Sequence, residues 1–302
     1  MSASVLFDAP GPKGRRRILI ANVVGALIIA WLIFLVVSGL AGKGQMSPDK
    51  WAPLFTSNAW TNFFLPGLTN TLKAAAVSIV LSVAFGLIFG LGRLSEHKAW
   101  NWTSAVVVEF FRAVPVLLMM VFFNIFFARS GLVPGSEAPF WAVVVALTLY
   151  NGSVVAELVR SGVHNLPKGQ REAGIAIGLT HSQSLRLVEV PQALVSMLPA
   201  LIGQCVVILK DSALGYIIGY TEFLFYSRTF GAANANTLQG LLLAAAVFIL
   251  INYTLTKLAE WVSRRLGSRG PRRTTPGEPA AVGLPVGLPG LPDTDADAGP
   301  RR

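Results

Sequence analysis

The chain of 302 residues predicts an all-α polytopic membrane protein with six transmembrane helices, and three observations lead there. Hydrophobic residues make up 53% of it and charged residues only 13%, against about 25% charged in an ordinary soluble domain. Apolar runs of about twenty residues recur, each long enough to cross about 30 Å of hydrocarbon. The basic residues, which set a net charge of +10, collect at the ends of those runs, where orientation signals sit.

Residues 1–17 are polar and end in Arg15-Arg16-Arg17, and the first apolar run follows at about 18–40. It is longer than the core of a cleavable signal peptide and no small-x-small site follows, so an uncleaved helix is expected. Residues 41–65, with Trp51 and Trp60, read as an external loop carrying interfacial aromatics. The second helix, about 66–92, spaces Ala74, Ser78, Ser82, Gly86 and Gly90 four apart. Such a stripe lets another helix approach closely, inside the subunit or across a subunit interface. Lys73 near its start can snorkel outward. Arg93 and Lys98 mark an inner turn before a third helix at about 104–128. Glu109 and Arg112 share one face there, pairing with each other or serving a gate or subunit contact. Pro115 should bend this helix.

After an external turn at 129–138, the fourth helix, about 139–160, carries Tyr150, Asn151, Glu157 and Arg160. Glu157 and Arg160 again pair at a spacing of three, either as structure or to communicate movement of the following loop. Asn151 and Glu157 are too far apart in angle to share a face. The fifth helix, about 190–210, is interrupted by Pro199 and brings Lys210 and Asp211 to its far end. Ser212–Phe225 is apolar but too short to cross, which suits a re-entrant or interfacial piece. Asp211 and Ser212 are expected to cap its start; the alternative has Lys210 or Asp211 facing a solute route. Glu222 and Arg228 lie farther out, open to a docked partner. A sixth helix at about 238–258 leads into Lys257, Arg264, Arg265, Arg269, Arg272 and Arg273, a cluster suited to anionic lipid. The Pro- and Gly-rich remainder, 267–302, buries too little apolar surface to fold. With the N-terminus inside, sixteen basic residues fall on the inner side and five on the outer (Lys43, Lys50, Arg129, Lys210 and Arg228). Both termini are therefore expected in the cytoplasm.

The long polar interruption at 160–191 organises the rest. Pro167 suits a first helical turn, and the run Lys168–Ile177 stops at Gly178, the residue best able to turn left-handed. Thr180 and Gln183 have the spacing of a capping box that starts a second helix in a new direction. The product is a helix–Gly–helix elbow, basic on its rim and flanked by two membrane-length segments.

Within that elbow, Glu172-Ala173-Gly174, Gly178 and Val190-Pro191 resemble the "EAA" cytoplasmic loop of ABC-importer permeases. Pro167-Lys168-Gly169-Gln170, Pro191-Gln192-Ala193-Leu194, Leu209-Lys210-Asp211-Ser212 and Glu109-Phe110-Phe111-Arg112-Ala113-Val114-Pro115 are similar to the polar-amino-acid subgroup. The resemblance covers roughly residues 66–258. Gly174 departs from it, standing where a second alanine is usual and softening the helix by up to about 1 kcal/mol. The resemblance implies a type I ABC-importer permease core at 66–260, preceded by a cytoplasmic segment (1–17) and an extra helix with its external loop (18–65). A cytoplasmic tail follows at 261–302. It implies an ATPase-coupling loop built on Gly169, Arg171, Glu172, Ala173, Gly174, Gly178 and Pro191, with Glu172 touching the ATPase or bracing the elbow. The candidate solute path or gate comprises Glu109, Arg112, Asn151, Glu157, Lys210, Asp211 and Ser212. Implied partners are a cytoplasmic ABC ATPase dimer, a second permease copy (identical or related), an extracellular solute-binding protein, membrane lipid and a polar amino acid. Glutamate is the expected solute, with glutamine, aspartate or a basic amino acid as alternatives.

Other chemistry is missing. No G-x-x-x-x-G-K-[ST] phosphate loop occurs, so the chain is not expected to hydrolyse ATP or to be an enzyme. The three histidines (His97, His164, His181) have no metal-binding spacing, the single cysteine Cys205 excludes internal disulfides, and no cofactor is implied. No basic patch interleaved with aromatics suggests nucleic acid. An ion-gradient-driven secondary transporter would show inverted repeats and mid-depth carboxylates. A non-transporting scaffold would not explain the motifs.

Overall fold

The computed structural model describes residues 11–267, and every regular element in that range is helical. In chain order these are α1 (Pro12–Gly42), α2 (Pro48–Trp51), α3 (Ser57–Ala59), α4 (Leu65–Gly92), α5 (Lys98–Ala113), α6 (Val116–Ser130), α7 (Ala138–His164), α8 (Lys168–Ala176), α9 (His181–Ser184), α10 (Val190–Asp211), α11 (Phe223–Ala233) and α12 (Thr237–Gly267). Five helical stretches are long and apolar enough to cross a membrane, six if α5 and α6 count as one span bent by 98°. The Pro/Gly-rich tail, residues 1–10 and the basic positions Arg269, Arg272 and Arg273 lie outside the described residues.

Three expectations need correction. The third span is two helices rather than one gently bent helix. Pro115 drives Val114 into extended backbone (φ −82°, ψ 126°), because its ring crowds the preceding residue out of the helical region. The stretch 41–65 is a string of short helical turns, not an open loop. Leu54, Ala59 and Phe64 pack there against Phe223 and Phe230, giving the stretch a core of its own. Finally, α10 runs through Pro199 without a break; transmembrane helices tolerate a proline where neighbouring groups satisfy the freed backbone.

The central helix is α7, which packs on α4, α5, α6 and α10. Its closest approach is to α4, and the small-residue stripe explains it. Ala74, Ser78, Ser82, Gly86 and Gly90 are all buried. A methyl group added at Gly86 would strike Val155, and one at Gly90 would lie 2.8 Å from Val159. The stripe therefore serves packing inside the subunit. By contrast α1 has no buried residue; its C-terminal end is held through Gln239 Nε2 donating to Gln45 O at 2.6 Å. The wide apolar exposure of the remaining helices suits chains surrounded by lipid tails, which bury hydrocarbon as well as protein does.

Candidate functional site

The elbow between α7 and α10 is built as its residues dictate. α8 closes in a Schellman motif: Gly178 takes φ +87°, its N–H donates to Ile175 O at 2.9 Å, and Leu179 N–H reaches Gly174 O at 3.1 Å. Two residues on, Gln183 N donates to Thr180 Oγ1 and Thr180 N to Gln183 Oε1 at 2.9 Å, a complete capping box. Pro167 is the cap of α8 rather than its first helical residue, in extended backbone (ψ 131°).

Gly174 has a direct physical account. It is buried, and a Cβ there would lie 2.7 Å from Ser184 Oγ. That hydroxyl is itself buried and donates to Glu189 Oε1 at 3.0 Å. The missing methyl lets α8 sit down on α9, so the helix softened by glycine is held by tertiary packing. Pro191 begins α10 after a wider π-helical turn at Leu185–Glu189; lacking an N–H, it leaves one carbonyl without its ordinary partner. Gln192 Nε2 bridges Gln170 Oε1 (3.1 Å) and Val188 O (2.9 Å), fastening α8 to α10.

The opposite surface of α8 is free. Gly169, Arg171, Glu172 and Ala173 are exposed. Among the described residues Glu172 makes no hydrogen bond or ion pair, so it does not brace the elbow. Ile175 and Ile177 stand out apolar, 52% and 77% exposed.

Just beyond the elbow lies a five-member ion cluster. Arg93, at the end of α4, contacts Glu157 of α7 (2.7 Å) and Glu109 of α5 (3.1 Å). Glu157 also pairs with Arg160 (2.7 Å) and Arg112 (3.8 Å), and Glu109 with Arg112 (3.6 Å). The pairs expected at a spacing of three are present, but neither is isolated. Arg93, whose side chain is only 12% exposed, joins them.

About 20 Å from the elbow along α7, Asn151 is fully buried. Its Oδ1 accepts from Gln204 Nε2 of α10 at 2.5 Å, and its Nδ2 donates to Leu147 O. Lys210 is exposed and Asp211 half-buried at the far end of α10. Neither Asp211 nor Ser212 caps anything. The chain runs from α10 straight into a 3₁₀ turn, Ser212–Ile218, and Ser212 Oγ donates backwards to Leu209 O at 2.7 Å. The cap that sequence reasoning missed is Glu222, whose carboxylate accepts from Phe225 N (2.6 Å) and Leu224 N (2.8 Å) at the start of α11. Glu222 is wholly buried, not displayed to a partner. Burial pushes its carboxyl up to about 7, with the two backbone N–H groups pulling the other way.

Residues 82–268 match the family described as the binding-protein-dependent transport system inner membrane component. The chain belongs to that family. Glutamate transport system permease protein GluD of Corynebacterium glutamicum is 47% identical over 227 residues, covering 75% of this chain and 83% of that one. Arginine transport system permease protein ArtQ of Bacillus subtilis is 30% identical over 68% of this chain and 93% of its own. A solved structure titled as an amino acid ABC transporter with histidines superposes with a TM-score of 0.62 at 28% identity, over 68% of this chain and 95% of that one. The protein is a binding-protein-dependent ABC amino-acid permease, a membrane component of a transporter.

Two signals in this permease were invisible locally. Arg93 looked like an orientation charge because its acidic partners lie on α5 and α7. Glu189 and Ser184 looked like ordinary polar positions on the rim, yet they form the buried brace beneath Gly174. The metal-free reading of the histidines meets no contrary cluster among the described residues.

Proposed function

We propose that this permease is the membrane subunit of an ATP-driven importer of glutamate and that its elbow is the part a separate ATPase moves. The observation that carries this reading is the rigidity of the elbow: two capped helical pieces share a buried glycine contact, continue into α7 and α10, and turn an unpartnered face outward. Glu172, Arg171, Gly169 and Ala173 lie on that face, with Ile175 and Ile177 as apolar anchors. Gly174, Gly178 and Pro191 shape the elbow. A push there travels along α7 and α10 to the Asn151–Gln204 contact, and the Arg93 cluster ties the same movement to α4 and α5. Glu109, Arg112, Asn151, Glu157 and Gln204 are the residues we place at the gate. Lys210 and Asp211 are placed toward the outer mouth.

The excess of basic residues at the elbow end supports cytoplasmic termini, with 1–17 and 261–302 in the cytoplasm, 18–65 as an added helix and outer segment, and 66–260 as the permease core. A second permease copy completes the pore, and a solute-binding protein delivers the amino acid from outside. Glutamate rests on the similarity to GluD. ATP binding at the motor and loaded binding protein outside bias the same conformational equilibrium. The test is uptake of labelled glutamate by proteoliposomes holding this chain, its ATPase and its binding protein. Uptake should require ATP and both partners; uptake by this chain alone without ATP would refute the reading.

A further inference from the structure

Beneath the elbow lies a cavity of about 330 Å³ that the coupling role does not use. Its walls come from the helix ends (Arg93, Val163, His164) and from the elbow (Arg171, His181, Glu189). Two of these residues have unmet needs. Glu189 is 5% exposed, and its one hydrogen-bond partner among the described residues is the Ser184 hydroxyl, with no cation within ion-pair distance. A carboxylate buried without a counter-charge costs several kcal/mol unless something cationic joins it. His181 has the opposite need. Arg171 Nη2 approaches its Nε2 at 3.5 Å, and a guanidinium only donates, so Nε2 accepts and the neutral ring carries its proton on Nδ1. That Nδ1 is buried and has no acceptor.

One cavity thus offers an orphan acceptor that wants an ammonium and an orphan donor that wants a carboxylate, with a guanidinium beside it. We propose that this cavity binds a free α-amino acid with an acidic side chain from the inner side, and that its occupancy slows import. The ammonium meets Glu189, one carboxylate meets His181 Nδ1–H, and the other meets Arg171. The volume is on the order of ten waters, the size class of a short amino acid. The cavity is bounded by the elbow on one side and the ends of α4 and α7 on the other, so moving the elbow changes its shape. A ligand that fits only the resting shape holds the elbow there, since a ligand shifts an equilibrium by its difference in affinity for the two states. This rests on the reading above that the elbow moves and that the solute is glutamate.

The test uses the assembled importer in proteoliposomes with ATP and the ATPase in the lumen, reading initial uptake of labelled glutamate. Unlabelled glutamate at ~10 mM in the lumen should slow the native importer about tenfold, as for a millimolar site on the resting state, and the Glu189→Gln importer by no more than about twofold. Lumenal glutarate, which keeps both carboxylates and lacks the ammonium, should leave the native importer uninhibited. This arm decides the matter should Glu189→Gln fail to assemble. Equal inhibition in Glu189→Gln, equal inhibition by glutarate, or native uptake indifferent to lumenal glutamate would each overturn the site. So would loss of uptake in Glu189→Gln beside an indifferent native importer, which would assign the carboxylate to a basic residue of the ATPase. Absence of any glutamate uptake by the native importer is instead a failure of the solute assignment. The same lumenal comparison, run with whichever amino acid is taken up, then decides the site.

Discussion

Arg93 Nη1 and Glu157 Oε2 stand 2.7 Å apart across the packed face of α4 and α7, from positions 64 residues apart in the chain. The pair is mostly shielded, with side chains 12% and 24% exposed. It is also the point where α5 joins, through Glu109. Replacing Arg93 by glutamine leaves Arg160 and Arg112 beside Glu157 but frees α4 from the cluster. The expected cost is roughly 1–3 kcal/mol, the range for removing one partner of a shielded charged hydrogen bond. Thermal unfolding of the purified permease should register it, with uptake falling as well. Unchanged unfolding and uptake would show that the cluster is ornamental.

Gly174 and Ser184 give a second, paired prediction. A β-branched side chain cannot be seated against the buried Ser184, so Gly174→Val should reduce ATP-dependent uptake about tenfold or more, the effect of a misfit worth ~1.4 kcal/mol or more. Membrane insertion should persist. Gly174→Ala combined with Ser184→Gly should recover most of the uptake, because the displaced volume is restored.

The left-handed stop at Gly178 supports a graded series. Asparagine tolerates φ +87° and should be nearly silent. Alanine should cost ~1–2 kcal/mol in elbow stability. Proline, locked near φ −65°, should abolish transport with insertion intact, and Glu172→Lys on the outward face should do the same. Normal transport in both of the last two variants would remove the elbow from the mechanism.

Glu222 makes stability depend on pH in a defined direction. It lies between the spans ending at Ile218 and beginning at Thr237, and burial raises its carboxyl from the ordinary 4.5 to about 7. Between those values the folded state holds more protons than the unfolded one, so stability falls as pH rises from ~5 to ~8, by at most ~3 kcal/mol. Melting of the permease should follow that slope, and Glu222→Gln should flatten it. A native profile that rises over this interval would contradict the burial argument.

What sequence revealed and what it hid divide along the range of the interaction. The helix stop at Gly178, the capping box of Thr180 and Gln183, and the Glu157–Arg160 pair are set by residues within a turn or two, and all stand as expected. The stripe on α4 was legible as a packing face but not as to its partner, which only the approach to Val155 and Val159 settles. The break at Val114 was underestimated because a proline's effect on the preceding residue does not tell how far two helices diverge. Arg93, Glu189 and Glu222 were misread or passed over for one reason: their partners or burial come from elements distant in the chain. Asp211 and Ser212 were assigned a cap on the assumption that a new helix starts at once; the 3₁₀ turn moves that start to Glu222.

The central claim is that the elbow lies on the cytoplasmic side and is covered by a motor. It is tested most directly at Ile177, the most exposed of the elbow's large apolar side chains. In a Cys205→Ser background, Ile177→Cys should resist a membrane-impermeant maleimide in intact cells. It should react in inside-out vesicles lacking the ATPase and become protected when the ATPase is added. Labelling of Ile177→Cys from outside intact cells would contradict the account.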